Sequence, residues 1–413
     1  MCNKYDVIVV GAGASGLMAA ISAARTGAKV AILEHMEQPG KKILSTGNGK
    51  CNFTNQEQGA KFYRGNNPAF VLPIFDQFGL LDTLAFFKQI GIYPTLKRGS
   101  YYYPFSEQAS AIREVLLLEI AHLCIALNCN IGIRSIKKEG NTFLFKTKQG
   151  IWESRSCILA TGGKSYKKTG SDGSGIPYIV GFSHHIIDIV PALVGLQGEP
   201  SFFRELAGIR ANSVVSMYIE NTLICEEFGE VQLTDYGVSG IPVFQVSRFA
   251  SKALKAGKKV SIHLNFLSEL TFEELYLYLI ERYHINGGIK TAKEALCGLL
   301  NSKLISKLLQ LSGIDENAGA VTCKEKELKK LAFTIQNVPC PIYGTKSFEF
   351  AQVSAGGVDT QEINEHTLES LLVKQLFFAG EVLDIDGMCG GYNLQWAWSS
   401  GWVAGHHAGL CKI

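Results

Sequence analysis

A glycine-rich turn, Gly11-Ala-Gly13-Ala-Ser-Gly16, follows directly on the short apolar run DVIVV at residues 6–10. An alanine-rich stretch from Leu17 to Thr26 comes next, and a second apolar run, VAIL, ends just before Glu34. This order predicts strand, helix and strand, a parallel βαβ unit of about 30 residues. The spacing GxGxxG at the first strand-to-helix turn indicates a Rossmann-type dinucleotide-binding fold.

Each residue type in this unit has a chemical reason. Gly11 allows the tight turn, Gly13 lets backbone N–H groups approach a pyrophosphate, and Gly16 lets the helix pack closely on the strand. The helix N-terminus adds positive potential for the phosphates. Glu34 can accept hydrogen bonds from ribose hydroxyls and would repel a 2′-phosphate.

The composition is that of an ordinary globular protein. Of its 413 residues 46% are hydrophobic and 19% are charged, a length that fits two or three domains. The net charge of +3 provides no basic field, so we expect no nucleic-acid partner. The uncharged stretches 7–24 and 387–411 are interrupted by glycine and polar residues, so we expect no stable membrane association.

Cysteine and histidine usage argues against disulfides and metals. The eleven cysteines are dispersed and form no CxxC pair, which favours a reducing, cytoplasmic location without a disulfide framework. The pairs His184-His185 and His406-His407 have no carboxylates at ligand spacing, so we expect no metal site.

The order of the elements predicts an insertion into the dinucleotide-binding domain. Residues 66–125 are expected to be largely helical around an aromatic loop or short hairpin from Arg98 to Phe105, and residues 131–159 to form strands. Residues 192–265 are expected to form strands and turns, and residues 271–333 helices, beginning with the capping box of Thr271 and Glu274. A final helix is expected near 394–409.

Three further segments favour FAD over NAD. The strand Cys157–Ala160 ends in Thr161-Gly162-Gly163, a turn that recurs in two-part flavoproteins. The strand at 376–379 ends in Gly380-Glu381, whose carboxylate or following N–H suits the ribityl chain or pyrophosphate. The run from Gly387 to Asn393 leads into a helix whose N-terminus can face a flavin C2 carbonyl and stabilise the reduced ring.

With these segments in place, the chain resembles the HI0933-like flavoproteins, a family of bacterial FAD-dependent oxidoreductases. The resemblance is carried by Gly40–Asn55, by Phe378–Ala397 and by Thr234–Gly240, and it covers most of the chain. It departs from the family pattern at Lys50, where Arg is commoner, and at Asp235, where many members have His. Lysine keeps the charge but lacks the guanidinium fork.

The resemblance implies an α/β fold: a split Rossmann-type FAD-binding domain with an inserted β-barrel-like domain and a helical cap. The expected boundaries are 1–190 and 336–413 for the FAD domain, 191–270 for the barrel-like insertion and 271–335 for the helical subdomain. The residues expected to bind FAD are Gly11, Gly13, Ala14, Ser15, Gly16, Glu34, Lys42, Thr46, Gly47, Asn48, Cys51, Asn52, Ile133, Thr161, Gly162, Gly380, Glu381, Gly391, Tyr392, Asn393 and Leu394.

The resemblance also implies the activities to consider. The first is hydride transfer from flavin N5 to a C=C bond conjugated to a ketone in a bulky apolar molecule, such as a 3-oxo steroid or bile acid. The second is oxidation of a small amine such as aminoacetone, and the third is a non-catalytic FAD-binding or RNA-modification accessory role. Because no second GxGxxG unit follows a strand, NAD(P)H is expected to act only as a transient reductant.

Two groups near the expected flavin leave alternatives open. Cys51 has no cysteine partner or base nearby in sequence, so we interpret it as a residue packed beside the flavin rather than a catalytic thiol. The cluster Tyr101–Phe105 is either core or the wall of an apolar pocket. The sequence assigns no catalytic residue.

Overall fold

The computed structural model of the chain describes residues 3–97 and 99–411, so Arg98 lies outside the described residues. Its α-helices, numbered along the chain, are α1 (Ala14–Arg25), α2 (Leu72–Phe75), α3 (Leu80–Gln89), α4 (Ala109–His122), α5 (Ile176–Gly181), α6 (Pro200–Leu206), α7 (Ile241–Lys255), α8 (Phe272–Ile280), α9 (Ala292–Ala295), α10 (Ser302–Ser312), α11 (Glu325–Gln336) and α12 (Tyr392–Leu410).

The strands are numbered in the same way and fall into several sheets. They are β1 (Asn3–Val10), β2 (Val30–Leu33), β3 (Thr54–Asn55), β4 (Tyr63–Arg64), β5 (Pro94–Lys97), β6 (Tyr101–Pro104), β7 (Ala126–Asn128), β8 (Ile133–Glu139), β9 (Thr142–Thr147), β10 (Gly150–Leu159), β11 (Ile186–Ala192), β12 (Leu196–Gln197), β13 (Arg210–Ile219), β14 (Thr222–Leu233), β15 (Gly237–Gly240), β16 (Val260–Asn265), β17 (Val338–Ile342), β18 (Gly344–Thr345), β19 (Val353–Val358), β20 (Leu376–Phe378) and β21 (Asp386–Gly387).

The chain divides into two compact units. The first comprises Met1–Pro191 and Ala351–Ile413, and the second comprises Ala192–Phe350. The chain enters the second unit close to the expected boundary at 190, but it returns at 351 rather than 336. The physical reason is β17, which follows α11 and pairs antiparallel with β16 inside the second unit.

The first unit contains the predicted parallel sheet. Its parallel strands run in the order β7-β2-β1-β10-β20, so the last strand comes from the far end of the chain. The first half of β10 pairs antiparallel with β9, which in turn pairs with β8. Since β1 and β2 are buried at their paired residues, their apolar runs form the centre of the core.

Helices α1 and α12 pack side by side along the first unit. A Cβ added at Gly401 would lie 2.5 Å from the carbonyl oxygen of Ser15, and one at Gly405 would lie 2.2 Å from that of Ala19. One at Gly409 would lie 2.9 Å from the oxygen of Ala23. Contacts that advance by four residues on both helices mean that the two run parallel, at a separation that only glycine permits.

The second unit is built around an antiparallel sheet in the order β17-β16-β13-β14-β15-β12-β18. Its two end strands are consecutive segments of chain, with only Tyr343 between them, and the amide of Tyr343 bonds to Gln197 in β12 at 2.9 Å. Helices α8 to α11 lie between β16 and β17 in the chain, and the capping box at the start of α8 is confirmed, with Thr271 accepting from the amide of Glu274.

The expectation of strands and turns throughout 192–265 was wrong in two places. Helix α6 begins after Glu199, whose side chain accepts from the Ser201 amide, and α7 occupies Ile241–Lys255. The buried residues of α7 include Val243, Val246, Ala250 and Ala253, which recur at the spacing of a helix rather than a strand. In the segment 66–125, the aromatic stretch forms the hairpin β5–β6, between α3 and α4.

No single helix in the described part of the chain is long and apolar enough to cross a membrane. Only the pair Pro68–Phe75 and Leu80–Gln89 passes that test, jointly and by length and composition alone, with a bend of 53° at the break.

Candidate cofactor and substrate site

The three glycines of the β1–α1 turn differ in what surrounds them. Gly11 has a φ of +101°, and a Cβ there would lie 2.6 Å from the oxygen of Ala160. At Gly16 a Cβ would lie 2.0 Å from the oxygen of Gly11, so the helix packs against its own turn. At Gly13, by contrast, a Cβ would meet no protein atom within 4 Å. The middle glycine therefore borders open space at the start of α1.

The first turn of α1 offers free donors to that space. No side chain caps the helix, and the first intrahelical bond runs from Leu17 N to Gly13 O, 2.9 Å. Within the described residues, the amides of Ala14 and Ser15 have no protein acceptor. Such an N-terminus binds phosphate oxygens through N–H groups and the helix dipole.

Glu34 lies at the carboxyl end of β2 with its side chain buried. Its Oε2 accepts from Ala12 N at 2.6 Å and its Oε1 from Met36 N at 2.8 Å. Two backbone donors fix the carboxylate beside the glycine turn, with lone pairs left for further donors. An acidic residue at this position of the fold is the one that accepts hydrogen bonds from the ribose of a dinucleotide.

A second uncapped N-terminus belongs to α12. Its N-cap is Gly391, with φ +93°, and the first intrahelical bond is from Gln395 N to Gly391 O. A Cβ at Gly391 would lie 3.0 Å from Oδ1 of Asn52. Helix α12 thus begins, with the amides of Tyr392, Asn393 and Leu394, beside the Thr46–Asn52 loop, and contact of these residues with FAD stays a prediction.

The N-termini of the parallel helices α1 and α12 are offset from each other along the helix axes. Ser15, in the first turn of α1, packs against Gly401, nine residues after the start of α12 at Tyr392. At 1.5 Å per residue, α12 begins about 14 Å beyond α1. A ligand with a pyrophosphate at one end of a flexible chain and a flat ring at the other matches this stagger.

Three buried side-chain atoms in the same region have no hydrogen-bond partner among the described residues: Asn52 Oδ1, Thr161 Oγ1 and Ser171 Oγ. Buried polar atoms are normally satisfied, so unpaired ones mark where a ligand or water binds. Together with the open space at Gly13 and the two uncapped helices, they fit FAD. Ser171 was not predicted, because a lone serine gives no sequence signal until its burial is known.

The Glu381 carboxylate is held by protein groups. Its Oε2 lies 2.8 Å from the ammonium of Lys42, and its Oε1 accepts from Ser354 N at 2.8 Å and from Ser165 Oγ at 3.0 Å. The preceding Gly380 packs on Ser15, where a Cβ would come within 2.4 Å of its Oγ. The structure therefore brings Lys42, Gly380 and Glu381 to the start of α1, and a direct contact of Glu381 with FAD stays a prediction.

The loop from Thr46 to Asn52 is irregular, with positive φ at Gly47, Asn48 and Cys51. Cys51 is fully buried, and burial raises the pKa of its thiol to about 12, against a smaller lowering effect from the Thr46 hydrogen bond. Almost no thiolate exists at neutral pH in such a site, so the side chain packs rather than reacts.

The aromatic hairpin reaches both loops of this site. Tyr103 Cε1 lies 3.8 Å from the position of a Cβ on Gly47, and Tyr101 Cε1 lies 3.2 Å from that of one on Gly390. Tyr102, which points to the opposite side of β6, packs against the hydrophobic core. Phe105 is 71% exposed and contacts Tyr93, so it does not form part of the wall.

Ile133 lies at the edge of this arrangement. Ile133 is the first residue of β8, and its carbonyl oxygen accepts from Tyr178 Oη. Two residues earlier, the amide of Ile131 donates to the Glu34 carbonyl oxygen at 2.8 Å.

Within the described residues no group of three His, Cys, Asp or Glu side chains is arranged to hold a metal ion.

Comparison with known proteins gives matches along nearly the whole chain. The family described as HI0933-like protein Rossmann domain matches residues 5–407. The chain is 39% identical over 403 residues to the 3-dehydro-bile acid delta(4,6)-reductase of Clostridium scindens, covering 97% of this chain and 98% of that protein. It is 29% identical over 407 residues to the ribosomal RNA dihydrouridine synthase of Escherichia coli, covering 97% of each.

Among solved structures, one similar fold is the 3-ketosteroid-delta4-(5alpha)-dehydrogenase of Rhodococcus jostii RHA1 in complex with 4-androstene-3,17-dione. It aligns with a TM-score of 0.51 at 14% identity, covering 98% of this chain and 97% of that one. At such low identity the likeness shows the fold alone.

Proposed function

The chain belongs to the HI0933-like family, and we propose that this FAD-dependent oxidoreductase reduces a C=C bond conjugated to a ketone in a bulky apolar substrate such as a 3-oxo steroid or bile acid. The observation that carries the proposal is the aromatic wall at Tyr101 and Tyr103, beside the two glycine loops that border the expected flavin. A flat hydrocarbon gains more from such a wall than a small amine does.

The relatives' names support the type of bond. The Clostridium scindens relative is named for reduction of a bile acid, and the Escherichia coli relative for making dihydrouridine in ribosomal RNA. Dihydrouridine differs from uridine by saturation of a C=C bond that is conjugated to a carbonyl group. Both names therefore describe reduction of a conjugated double bond, although in molecules of very different size and polarity.

The protein's own groups position and polarise the reactants. FAD bound here would, once reduced, supply a hydride from its N5 atom. The amides that begin α12 stabilise negative charge beside them, and the amides that begin α1 hold the pyrophosphate. The wall of tyrosine rings excludes water from one side of the substrate, which strengthens the polar interactions that remain.

We propose NAD(P)H as a reductant that binds only transiently. All strand pairs described in the second unit are antiparallel, so this unit supplies no second parallel βαβ site for a dinucleotide. The nicotinamide would therefore use the substrate side of the one flavin site and leave before the ketone binds.

The oxidase alternative has less support. Three carboxylates could hold an ammonium group: Asp384 and Asp386 are only 1% and 3% exposed, and Asp235 is exposed but belongs to the second unit. Asp384 also accepts a hydrogen bond from the Asn66 amide at 2.9 Å. The Asp384 carboxylate therefore stabilises the loop before α12.

The test is anaerobic. The bound flavin is reduced with NADH or NADPH, a 3-oxo-4-ene steroid is added, and the return of the oxidised flavin spectrum is followed together with the saturated product by mass spectrometry. The proposal expects both. Reoxidation by a uridine-containing RNA but not by the steroid, or rapid peroxide formation from aminoacetone in air, would overturn the substrate class.

A further inference from the structure

The strand β6 carries three consecutive tyrosines whose side chains alternate between its two faces. Tyr101 and Tyr103 share the face that borders the Gly390 and Gly47 loops, and Tyr102 packs on the core side. The backbone of β6 is fixed by pairing with β5 and β3, so the two outer rings are held in place. The sequence alone does not show which of the three tyrosines face these loops.

The two outer tyrosines differ in their surroundings. Tyr101 lies against Gly390 and close enough to Tyr392 to help raise the pKa of that side chain, after burial and Glu57. Tyr103 lies beside Gly47, in a loop that is exposed at Gly47, Asn48 and Gly49. Within the described residues its hydroxyl has no protein partner. Tyr103 is therefore the tyrosine free to donate a hydrogen bond outward.

We propose that the Tyr103 hydroxyl donates a hydrogen bond to the ketone oxygen of the substrate, while the Tyr101 ring forms an apolar wall. This inference rests on the proposed function. During conjugate reduction the double bond gains one hydride, and its two π electrons move toward the ketone oxygen, which becomes negatively charged. A fixed donor at that oxygen stabilises the charge where it develops.

Tyr103 keeps its own proton throughout. The reduction is completed when a proton from water adds to the carbon next to the carbonyl group, so the C=C bond gains one hydride and one proton overall. The hydroxyl therefore acts as a hydrogen-bond donor and not as an acid. Because the free hydroxyl also binds the ketone before reduction, its contact is detectable without turnover.

The first experiment uses the oxidised holoenzyme without any reductant, with a 3-oxo-4-ene steroid carrying carbon-13 at the ketone carbon. A hydrogen bond to the oxygen moves that carbon-13 resonance downfield. We expect the downfield shift in the wild-type protein and in Tyr102→Phe, which loses the same hydroxyl from the opposite face of the strand. We expect Tyr103→Phe to bind the steroid with most of that shift lost.

The second experiment measures turnover of the same variants after checking FAD content and thermal stability. Losing one donor at a developing oxyanion lowers kcat by roughly 100- to 1,000-fold, and this is the effect expected for Tyr103→Phe. Tyr101→Phe should change kcat by less than about tenfold, because its ring remains. A loss confined to KM would mean that Tyr103 binds the ketone without stabilising the negative charge, and would overturn the inference.

The outcomes separate this inference from the proposed function. If the wild-type protein neither binds nor reduces the steroid, both fail. If it binds and reduces the steroid but Tyr103→Phe keeps the full carbon-13 shift and kcat, only the role of Tyr103 fails. Equal losses in Tyr102→Phe and Tyr103→Phe would also overturn it, since the two hydroxyls lie on opposite faces.

Discussion

The ammonium group of Lys42 lies 2.8 Å from Oε2 of Glu381, although most of the chain separates the two residues. The same ammonium donates to Ser165 Oγ at 2.8 Å. Their side chains are 25% and 18% exposed, so the pair is mostly withdrawn from water. One ion pair thus ties together three distant stretches of sequence at the start of α1.

We expect this pair to be energetically coupled. Lys42→Met and Glu381→Gln should each lower the free energy of unfolding by about 1–3 kcal/mol, because each leaves a partly buried group without its partner. The double variant should lose less than the sum, with a coupling energy of about 1 kcal/mol. Urea unfolding of the apoprotein measures all three. The exposed pair Arg210–Glu230 is the control, with an expected effect below about 1 kcal/mol, and strictly additive losses at Lys42 and Glu381 would contradict the coupling.

Gly13 and Gly16 should fail in different ways when changed to alanine. A Cβ at Gly13 meets no protein atom, so Gly13→Ala should keep the apoprotein's melting temperature but weaken FAD binding. A Cβ at Gly16 collides with the oxygen of Gly11, so Gly16→Ala should unfold at a lower temperature even without FAD. Thermal unfolding of the apoproteins and FAD titration separate the two. Unchanged FAD affinity in Gly13→Ala would mean that no phosphate approaches this turn.

Glu34→Gln should weaken FAD binding by about 10- to 150-fold, the equivalent of about 1.5–3 kcal/mol for one hydrogen bond to a charged group. Glu34→Arg should be worse, because it also repels the two backbone donors at Ala12 and Met36. FAD titration of each apoprotein gives the dissociation constants. Glu37→Gln changes an exposed carboxylate on the same loop and should leave them unchanged. Equal effects at both positions would remove the ribose assignment.

Cys51→Ser should keep kcat within about tenfold of the wild-type value. The buried thiol stays protonated and has no base beside it among the described residues, whereas loss of a true nucleophile costs far more. Steady-state kinetics with matched FAD content make the comparison. A thousandfold drop in kcat with FAD fully bound would instead show that Cys51 is a catalytic thiol.

The same thiol predicts a pH dependence of stability. Its pKa is about 12 in the folded protein against an ordinary value of 9.0, so above pH 9 the unfolded chain loses a proton that the folded protein retains. The contribution of the Cys51 thiol to the free energy of unfolding is fully present below pH 9. Above pH 9 the free energy of unfolding falls by about 1.4 kcal/mol per pH unit as the pH rises toward 12. Urea unfolding between pH 8 and pH 10.5 should therefore show a shallower decline for Cys51→Ser. Parallel declines would show that the thiol is not buried in this way.

Local patterns predicted the parts of the fold that depend on local physics. Residues close together in sequence are enough to recognise two features: the β1–α1–β2 unit with Glu34, and the capping box of Thr271 and Glu274. Helix α7 was not predicted, because the segments on both sides of it alternate in polarity as strands do, and the helical spacing of its own apolar residues was taken for part of that pattern.

Other features depend on contacts that no local pattern reveals. The partners of Glu381 come from Lys42, Ser165 and Ser354, and the unpaired hydroxyl of Ser171 has meaning only once it is buried. The close packing of α12 on α1 does have a pattern in the sequence: Gly401, Gly405 and Gly409 recur every four residues, a spacing that favours close helix packing.

The packing of α12 on α1 also has a consequence during protein synthesis. Helix α1 ends at Arg25 and helix α12, which covers it, begins only at Tyr392, so α1 leaves the ribosome long before its partner is made. At roughly 5–20 residues per second, the small-residue face of α1 waits about 20–80 s for its partner. Premature termination before Leu376 would leave that face permanently uncovered, so truncated chains should be bound by chaperones or degraded rather than accumulate as folded fragments.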